Sequence, residues 1–156
     1  MSMEAELRQG LAALSLPLSD EQVGRLLAYL ELLQKWNRVY NLTAVRDPQQ
    51  MLTHHLLDSL AAVPPLLAYR QQHAASSLLD VGSGGGLPGV VFAICCPNLQ
   101  VHCVDTVGKK AAFIQTAATQ LRLPNLKSIH ARVEQLQDRY DLISSRAFAT
   151  LADFTA

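Results

Sequence analysis

Hydrophobic and polar positions divide the chain into two patterns. Leu7, Leu11 and Leu14 recur at helical spacing and predict a short amphipathic helix, which Gly10 weakens by about 1 kcal/mol relative to alanine. Ser19 with Gln22 reads as a capping box, opening a helix whose stripe is Val23, Leu26, Leu27, Leu30 and Leu33. The segment Trp36-Asn-Arg-Val-Tyr-Asn-Leu-Thr breaks the stripe and is expected to form an ordered connection. Asp47-Pro48-Gln49-Gln50 is a second helix start, with Asp47 as cap and Gln50 reaching back to it. Met51, Leu52, His55, Leu56 and Leu60 carry that helix to Pro64-Pro65, and Leu66 to Gln72 suits one more. From Ser77 the pattern changes. Short apolar runs at Leu78–Val81, Val101–Asp105, Leu126–His130 and Tyr140–Arg146 alternate with helical segments at Val90–Cys96 and Lys109–Leu121. Strands alternating with helices predict an α/β fold with a parallel sheet and right-handed crossovers.

Between the first strand and its helix lies a glycine cluster: Gly82, Gly84, Gly85, Gly86 and Gly89. Strand, tight turn, helix is a ligand-binding arrangement. Glycines permit φ > 0 and close backbone approach, and a helix start offers amide N–H groups. Two ligand readings fit. Gly84, Gly86 and Gly89 match the dinucleotide pattern G-x-G-x-x-G. Asp80, Gly82, Gly84 and Gly86 match D-x-G-x-G-x-G, typical of S-adenosylmethionine sites. Charge favours the second, because Asp80 opposes a pyrophosphate and attracts an ammonium or sulfonium. Asp105 ends the next strand, where a carboxylate accepts both hydroxyls of an adenosine ribose. That acid is common to both readings. Asp80 as a loop-ordering acid and Asp105 as an ordinary surface acid are the plainer alternatives.

Composition narrows the class. Hydrophobic residues make up 49% and charged residues 17% of 156 residues, as in a globular chain. The formal net charge of zero argues against a strongly basic nucleic-acid binder but leaves room for a local patch. No apolar run reaches the roughly 18 residues of a membrane span. The acidic N-terminus does not resemble a signal peptide. Three cysteines, Cys95, Cys96 and Cys103, lack zinc-type spacing and read as buried small apolar residues. His54 and His55 are adjacent, which does not suit an i, i+4 metal pair. No metal site and a cytoplasmic location are therefore expected.

Four segments occur together and in order: Trp36-Asn-Arg-Val-Tyr-Asn-Leu-Thr-Ala-Val-Arg-Asp-Pro48, His55-Leu-Leu-Asp-Ser-Leu60, Asp80-Val-Gly-Ser-Gly-Gly-Gly-Leu-Pro-Gly89 and Ser145-Arg-Ala-Phe-Ala149. Over roughly residues 20 to 154 the chain strongly resembles the bacterial small-subunit ribosomal RNA guanine-N7 methyltransferases, also called glucose-inhibited division protein B (RsmG-like). The resemblance implies a Rossmann-like class I methyltransferase fold, with residues 1–75 as an N-terminal helical extension packed on a core at 76–156. It implies S-adenosyl-L-methionine as cofactor and methyl transfer to N7 of a guanine in 16S ribosomal RNA, free or within the 30S subunit. Membrane and DNA partners are not implied.

The resemblance also implies site positions. Gly82 and Leu87 line the methionine and ribose side of the turn, Asp105 holds the ribose, and Val133 and Glu134 flank the adenine. Arg146 sits near the methyl donor and the target base. Without the resemblance, Val133 reads as core and Glu134 as a solvated acid, while Arg146 suits a phosphate, a carboxylate or a structural ion pair. Guanine N7 has a free lone pair, so no catalytic base is required and positioning carries the reaction. Arg38, Arg46, Lys109, Lys110 and Arg146 are candidates for RNA phosphates, and Phe148 for stacking on an extruded base, each with an ordinary structural alternative. Competing functions are an NAD-dependent Rossmann oxidoreductase and a non-catalytic RNA-binding module. Only four strands are predicted, so the chain reads as C-terminally truncated, with an incomplete sheet, an exposed edge, poor stability and weakened catalysis.

Overall fold

The structure, a computed structural model, describes residues 2–44, 47–82 and 84–145. The chain divides into two compact units, Met1–Ala74 and Ala75–Ala156.

The first unit is helical. α1 (Met3–Ala13) is capped by Ser2, and Leu7 and Leu11 are buried. α2 (Asp20–Tyr40) starts with the expected capping box: the Gln22 N–H donates to Ser19 Oγ (3.1 Å), and the Ser19 N–H donates to Gln22 Oε1 (2.9 Å). It differs from the sequence reading at its other end. The helix runs on through Trp36-Asn-Arg-Val-Tyr40 and stops at left-handed Asn41, φ 52°. Two features favour continuation. Trp36 and Tyr40 pair across one helical turn, with ring centroids 5.2 Å apart. Asn37, 2% exposed, accepts the Thr43 N–H at 2.8 Å after the chain has turned back. The amide-rich motif therefore ends a helix.

Asp47 does cap the next helix, but through the Gln49 N–H (3.4 Å), and Gln49 rather than Gln50 reaches out, bonding Glu6. After α3 (Pro48–Gln50) the helix widens into a π-helical segment, Met51–Leu57, and narrows again in α4 (Asp58–Leu60). Met51, Leu52, Leu56 and Leu60 remain buried in this mixed geometry. Thr43 Oγ1 hydrogen-bonds His55 Nε2 at 2.7 Å, tying the chain after α2 to the π segment. Gly10 has a packing reason: a Cβ there would meet the Leu57 side chain. α5 (Val63–Gln72) begins earlier than expected and takes Pro64 and Pro65 into its first turn.

The second unit is an α/β layer. β1 (Ser77–Val81), β2 (Gln100–Asp105), β3 (Leu126–His130) and β4 (Leu142–Ser144) form a parallel sheet in the order β3-β2-β1-β4. Leu78 lies opposite Val101 on one side and Leu142 on the other. Flanked on both sides, β1 reads as a nearly continuous buried run, as a central parallel strand should. α6 (Gly89–Cys95) is buried along its whole length and packs on β2, while α7 (Gly108–Gln120) packs on β2 and β3. Buried Asn125 fastens the end of α6: its Nδ2 donates to the carbonyls of Ala93, Cys96 and Leu99 at 2.9–3.1 Å. The chain leaves β1 toward β2 and β3, then returns across to β4. The direction of the strand order thus reverses at β1, and the open end of that strand is where such sheets bind ligands.

β4 is shorter than its apolar run. Asp141 serves as a clasp instead, with Oδ2 accepting the N–H groups of Ser76 (2.8 Å) and Ser77 (3.2 Å) at the start of β1. These bonds hold the Asp141 carboxyl below its ordinary value, led by the Ser76 amide. Tyr140 OH bonds His102 Nδ1 at 2.8 Å, with the rings edge to face. Among the described residues, no helix is long and apolar enough to cross a membrane.

Candidate functional site

The carboxyl ends of β1 and β2 define the site. After β1 the chain turns on three positive-φ glycines, Gly82 (66°), Gly84 (60°) and Gly86 (90°). At Gly86 a Cβ would lie 2.5 Å from Val90 Cγ2, and at Gly89 one would lie 2.7 Å from Asp80 Oδ2. Gly86 and Gly89 therefore serve close packing within the turn. Gly82 differs, because a Cβ there would have nothing within 4 Å. Its freedom is needed for backbone conformation beside open space.

Asp80 is fully buried and faces inward. Its Oδ2 accepts the Gly89 N–H (2.9 Å), and its Oδ1 accepts the Ser144 hydroxyl (3.0 Å). Through these contacts it helps to order the turn. Two amide groups at the start of α6 are taken up within the turn, Gly89 by Asp80 and Val90 by the Gly86 carbonyl at 2.6 Å.

Asp105 faces a cleft. It is 7% exposed, and its Oδ2 accepts the Gly84 N–H (3.2 Å) while its Oδ1 accepts the Val107 N–H (2.8 Å). A carboxylate has lone pairs for further donors after two such bonds. The cleft, about 320 Å³, is lined by Val81 and Gly82 after β1, by Val104, Asp105 and Thr106 after β2, and by the segment from Ala131 to Glu134 after β3. That last segment is a 3₁₀ turn, Val133–Gln135, closed by mutual bonds between Arg132 and Gln135. His130 supports the opposite lip: its Nε2 lies 3.0 Å from the Thr106 carbonyl, and its ring lies over Gly108, where a Cβ would approach within 3.3 Å.

This geometry admits an elongated ligand carrying a diol. Gly82 leaves the floor open, Asp105 offers acceptors, and Val133 gives an apolar surface 40% exposed. S-adenosyl-L-methionine fits this donor and acceptor set. The rRNA small subunit methyltransferase G family model matches residues 22–156. The chain belongs to this family.

Its members include the ribosomal RNA small subunit methyltransferase G of Acidovorax ebreus (strain TPSY), 67% identical over 162 aligned positions, which cover 99% of this chain and 72% of that protein. The same-named protein of Paracidovorax citrulli (strain AAC00-1) is 63% identical, covering 99% of this chain and 68% of that one. A solved structure of coclaurine N-methyltransferase, bound to N-methylheliamine and SAH, aligns with TM-score 0.51 at 16% identity. The alignment covers 92% of this chain and 49% of that one, and the likeness is one of fold. The fold is accordingly that of the Rossmann-like class I methyltransferases.

Among the expected cofactor residues, Gly82, Asp105, Val133 and Glu134 come together around the cleft. Gly84 stands behind it, bonded to Asp105. Asp80, Gly86 and Leu87 are buried behind the turn. Arg146, Arg46 and Phe148 lie outside the described residues. Lys109 is exposed at the start of α7, Lys110 is half-buried, and Arg38 is exposed on the last turn of α2. Thr106, Ala131 and Arg132 line the cleft and were not singled out by the sequence. Their signal was positional, since each follows a strand that ends at the site.

Proposed function

We propose that this chain transfers a methyl group from S-adenosyl-L-methionine to N7 of a guanine in the 16S RNA of the small ribosomal subunit. The observation that supports this most is the meeting of Gly82 and Asp105 at one cleft, in a chain of the methyltransferase G family. When bound, the cofactor supplies an electrophilic methyl group. Asp105 receives the ribose hydroxyls, and the backbone around Val133 and Glu134 borders the adenine. The glycine turn lets the main chain approach the methionine portion without side chains intervening. The family resemblance assigns Arg146 a role near the methyl donor and the target base. Guanine N7 carries its own lone pair, so the protein's task is orientation and exclusion of water rather than proton abstraction. Arg38, Arg46, Lys109 and Lys110 serve as phosphate contacts for RNA, presented either free or in the 30S subunit. Residues 1–75 form a helical extension, and residues 76–156 carry the cofactor site. The setting is the cytoplasm.

Calorimetry with S-adenosylmethionine, S-adenosylhomocysteine and NAD tests the cofactor. Binding of the first two without NAD is expected, and NAD binding alone would overturn the reading. Incubation with labelled cofactor and unmethylated small-subunit RNA, followed by mapping of the modified nucleotide, tests the reaction. Labelled 7-methylguanine is the expected product. Cofactor binding with no methyl transfer to any RNA substrate would instead favour a non-catalytic RNA-binding module.

A further inference from the structure

We propose that Ser144 is a positioning residue for the cofactor site, holding Asp80 in the orientation that grips the glycine turn. Ser144 ends β4 directly opposite Asp80 on β1, and its hydroxyl donates to Asp80 Oδ1 at 3.0 Å. Asp80 passes the restraint on, because its other oxygen accepts the Gly89 N–H at 2.9 Å where the turn ends and α6 begins. At the other end of the same turn, the Gly84 N–H donates to Asp105, the acid at the cleft. The turn is therefore pinned twice, once by an acid that lines the cleft and once by an acid that Ser144 orients.

The register that allows this is set nearby. β4 has three residues. Asp141, just before it, clasps Ser76 and Ser77 at the start of β1, and Ser144 meets Asp80 toward the end. A one-residue slip of β4 would turn the Ser144 side chain to the opposite face of the sheet and away from Asp80. A hydroxyl hydrogen bond to a buried carboxylate is among the stronger neutral-to-charged contacts and fixes direction as well as distance. Removing it leaves Asp80 with fewer restraints and lets the Gly84–Gly89 turn depart from its cofactor-ready shape. Ser144 acts through Asp80, so the effect falls on cofactor affinity and spares RNA affinity.

The inference rests on the methyltransferase reading, and its test keeps the two apart. Ser144→Ala, Ser144→Cys and Ser144→Thr are compared with the unsubstituted chain by calorimetry with S-adenosylhomocysteine, by steady-state kinetics and by thermal unfolding. The alanine variant is expected to weaken S-adenosylhomocysteine binding and raise KM for S-adenosylmethionine about tenfold, with KM for RNA changed less than about twofold. Cysteine, a weak donor of similar size, should move the same quantities in the same direction by less. Threonine, which keeps the hydroxyl, should restore both to within about twofold. Equal loss toward cofactor and RNA would overturn the proposal, as would a lowered unfolding temperature with unchanged cofactor affinity, or an alanine variant that fails to fold while cysteine behaves as the unsubstituted chain. Absence of S-adenosylhomocysteine binding in the unsubstituted chain would overturn the methyltransferase reading itself, and this proposal with it.

Discussion

The ends of β1 and β2 look alike in sequence and behave differently in the structure. Each is an apolar strand closing on an aspartate, and each aspartate accepts at least one backbone amide of the glycine turn. Asp80 is sealed, with its oxygens on Gly89 and on Ser144 of a neighbouring strand. Asp105 keeps a margin of exposure and a share of the cleft wall. The difference follows from what covers each end. Both strands have neighbours on either side, but Asp80 is met by Ser144 of β4 and by Gly89 at the start of α6, whereas the end of β2 meets the space left between the turn and the segment after β3. One acid builds the site and the other presents it.

The strongest way to break this contrast is at Gly89. Gly89→Ala drives a methyl group into the Asp80 carboxylate and Cys103 Sγ. Overpacking of this kind costs about 1–3 kcal/mol or more, and chemical denaturation should show a loss at the upper end of that range, together with lost S-adenosylhomocysteine binding. Gly89→Ala behaving as the unsubstituted chain would show that Asp80 does not order the turn.

The pair Asp80→Asn and Asp105→Asn comes next. Asp80→Asn should lower folding stability by about 2 kcal/mol, measured by urea unfolding, because a buried charge-assisted contact is lost. Asp105→Asn should lower cofactor affinity about tenfold or more in calorimetry, with a smaller change in stability. If both variants lose stability and affinity in the same proportion, the division of labour is wrong.

Gly82→Ala separates conformation from space. Its φ of 66° disfavours a side chain by about 1–2 kcal/mol, yet a Cβ there meets no atom within 4 Å. A modest fall in unfolding midpoint is expected, well below that of Gly89→Ala.

The smallest effect lies at His102, in the middle of β2. Burial, reinforced by Lys127 and opposed by Asp138, holds its imidazole below the ordinary 6.5. The folded chain then binds fewer protons than the unfolded chain below that value, so stability is complete above about pH 6.5 and declines as the pH falls toward the lowered value. His102→Gln should flatten that decline in unfolding midpoints measured between pH 7 and pH 5.

Much of this architecture was legible. The Ser19–Gln22 box, the four strands and the glycine turn each carry a local chemical signal, and β3 falls on the residues expected, Leu126–His130. What escaped depends on contacts between distant residues. The segment from Trp36 to Thr43 reads as a connection until the Asn37 side chain is seen to receive the Thr43 amide at the end of a longer helix. The π geometry of Met51–Leu57 leaves the apolar spacing nearly intact, so periodicity does not reveal it. Asp141 reads as the body of a strand and is used as its clasp. At the site, Asp105 and Gly82 followed from motif chemistry. Thr106 and Arg132 became visible only when the ends of β2 and β3 were brought together.

Asn125 has a consequence for how the protein ages. Its carboxamide nitrogen faces three carbonyl oxygens at the end of α6. Spontaneous hydrolysis of that one amide would replace a donor with a carboxylate, set against three acceptors and shut away from water. The peg that secures the helix behind the glycine turn would become a wedge. Its burial, 5% exposed, keeps water from the amide and so protects the joint it fastens.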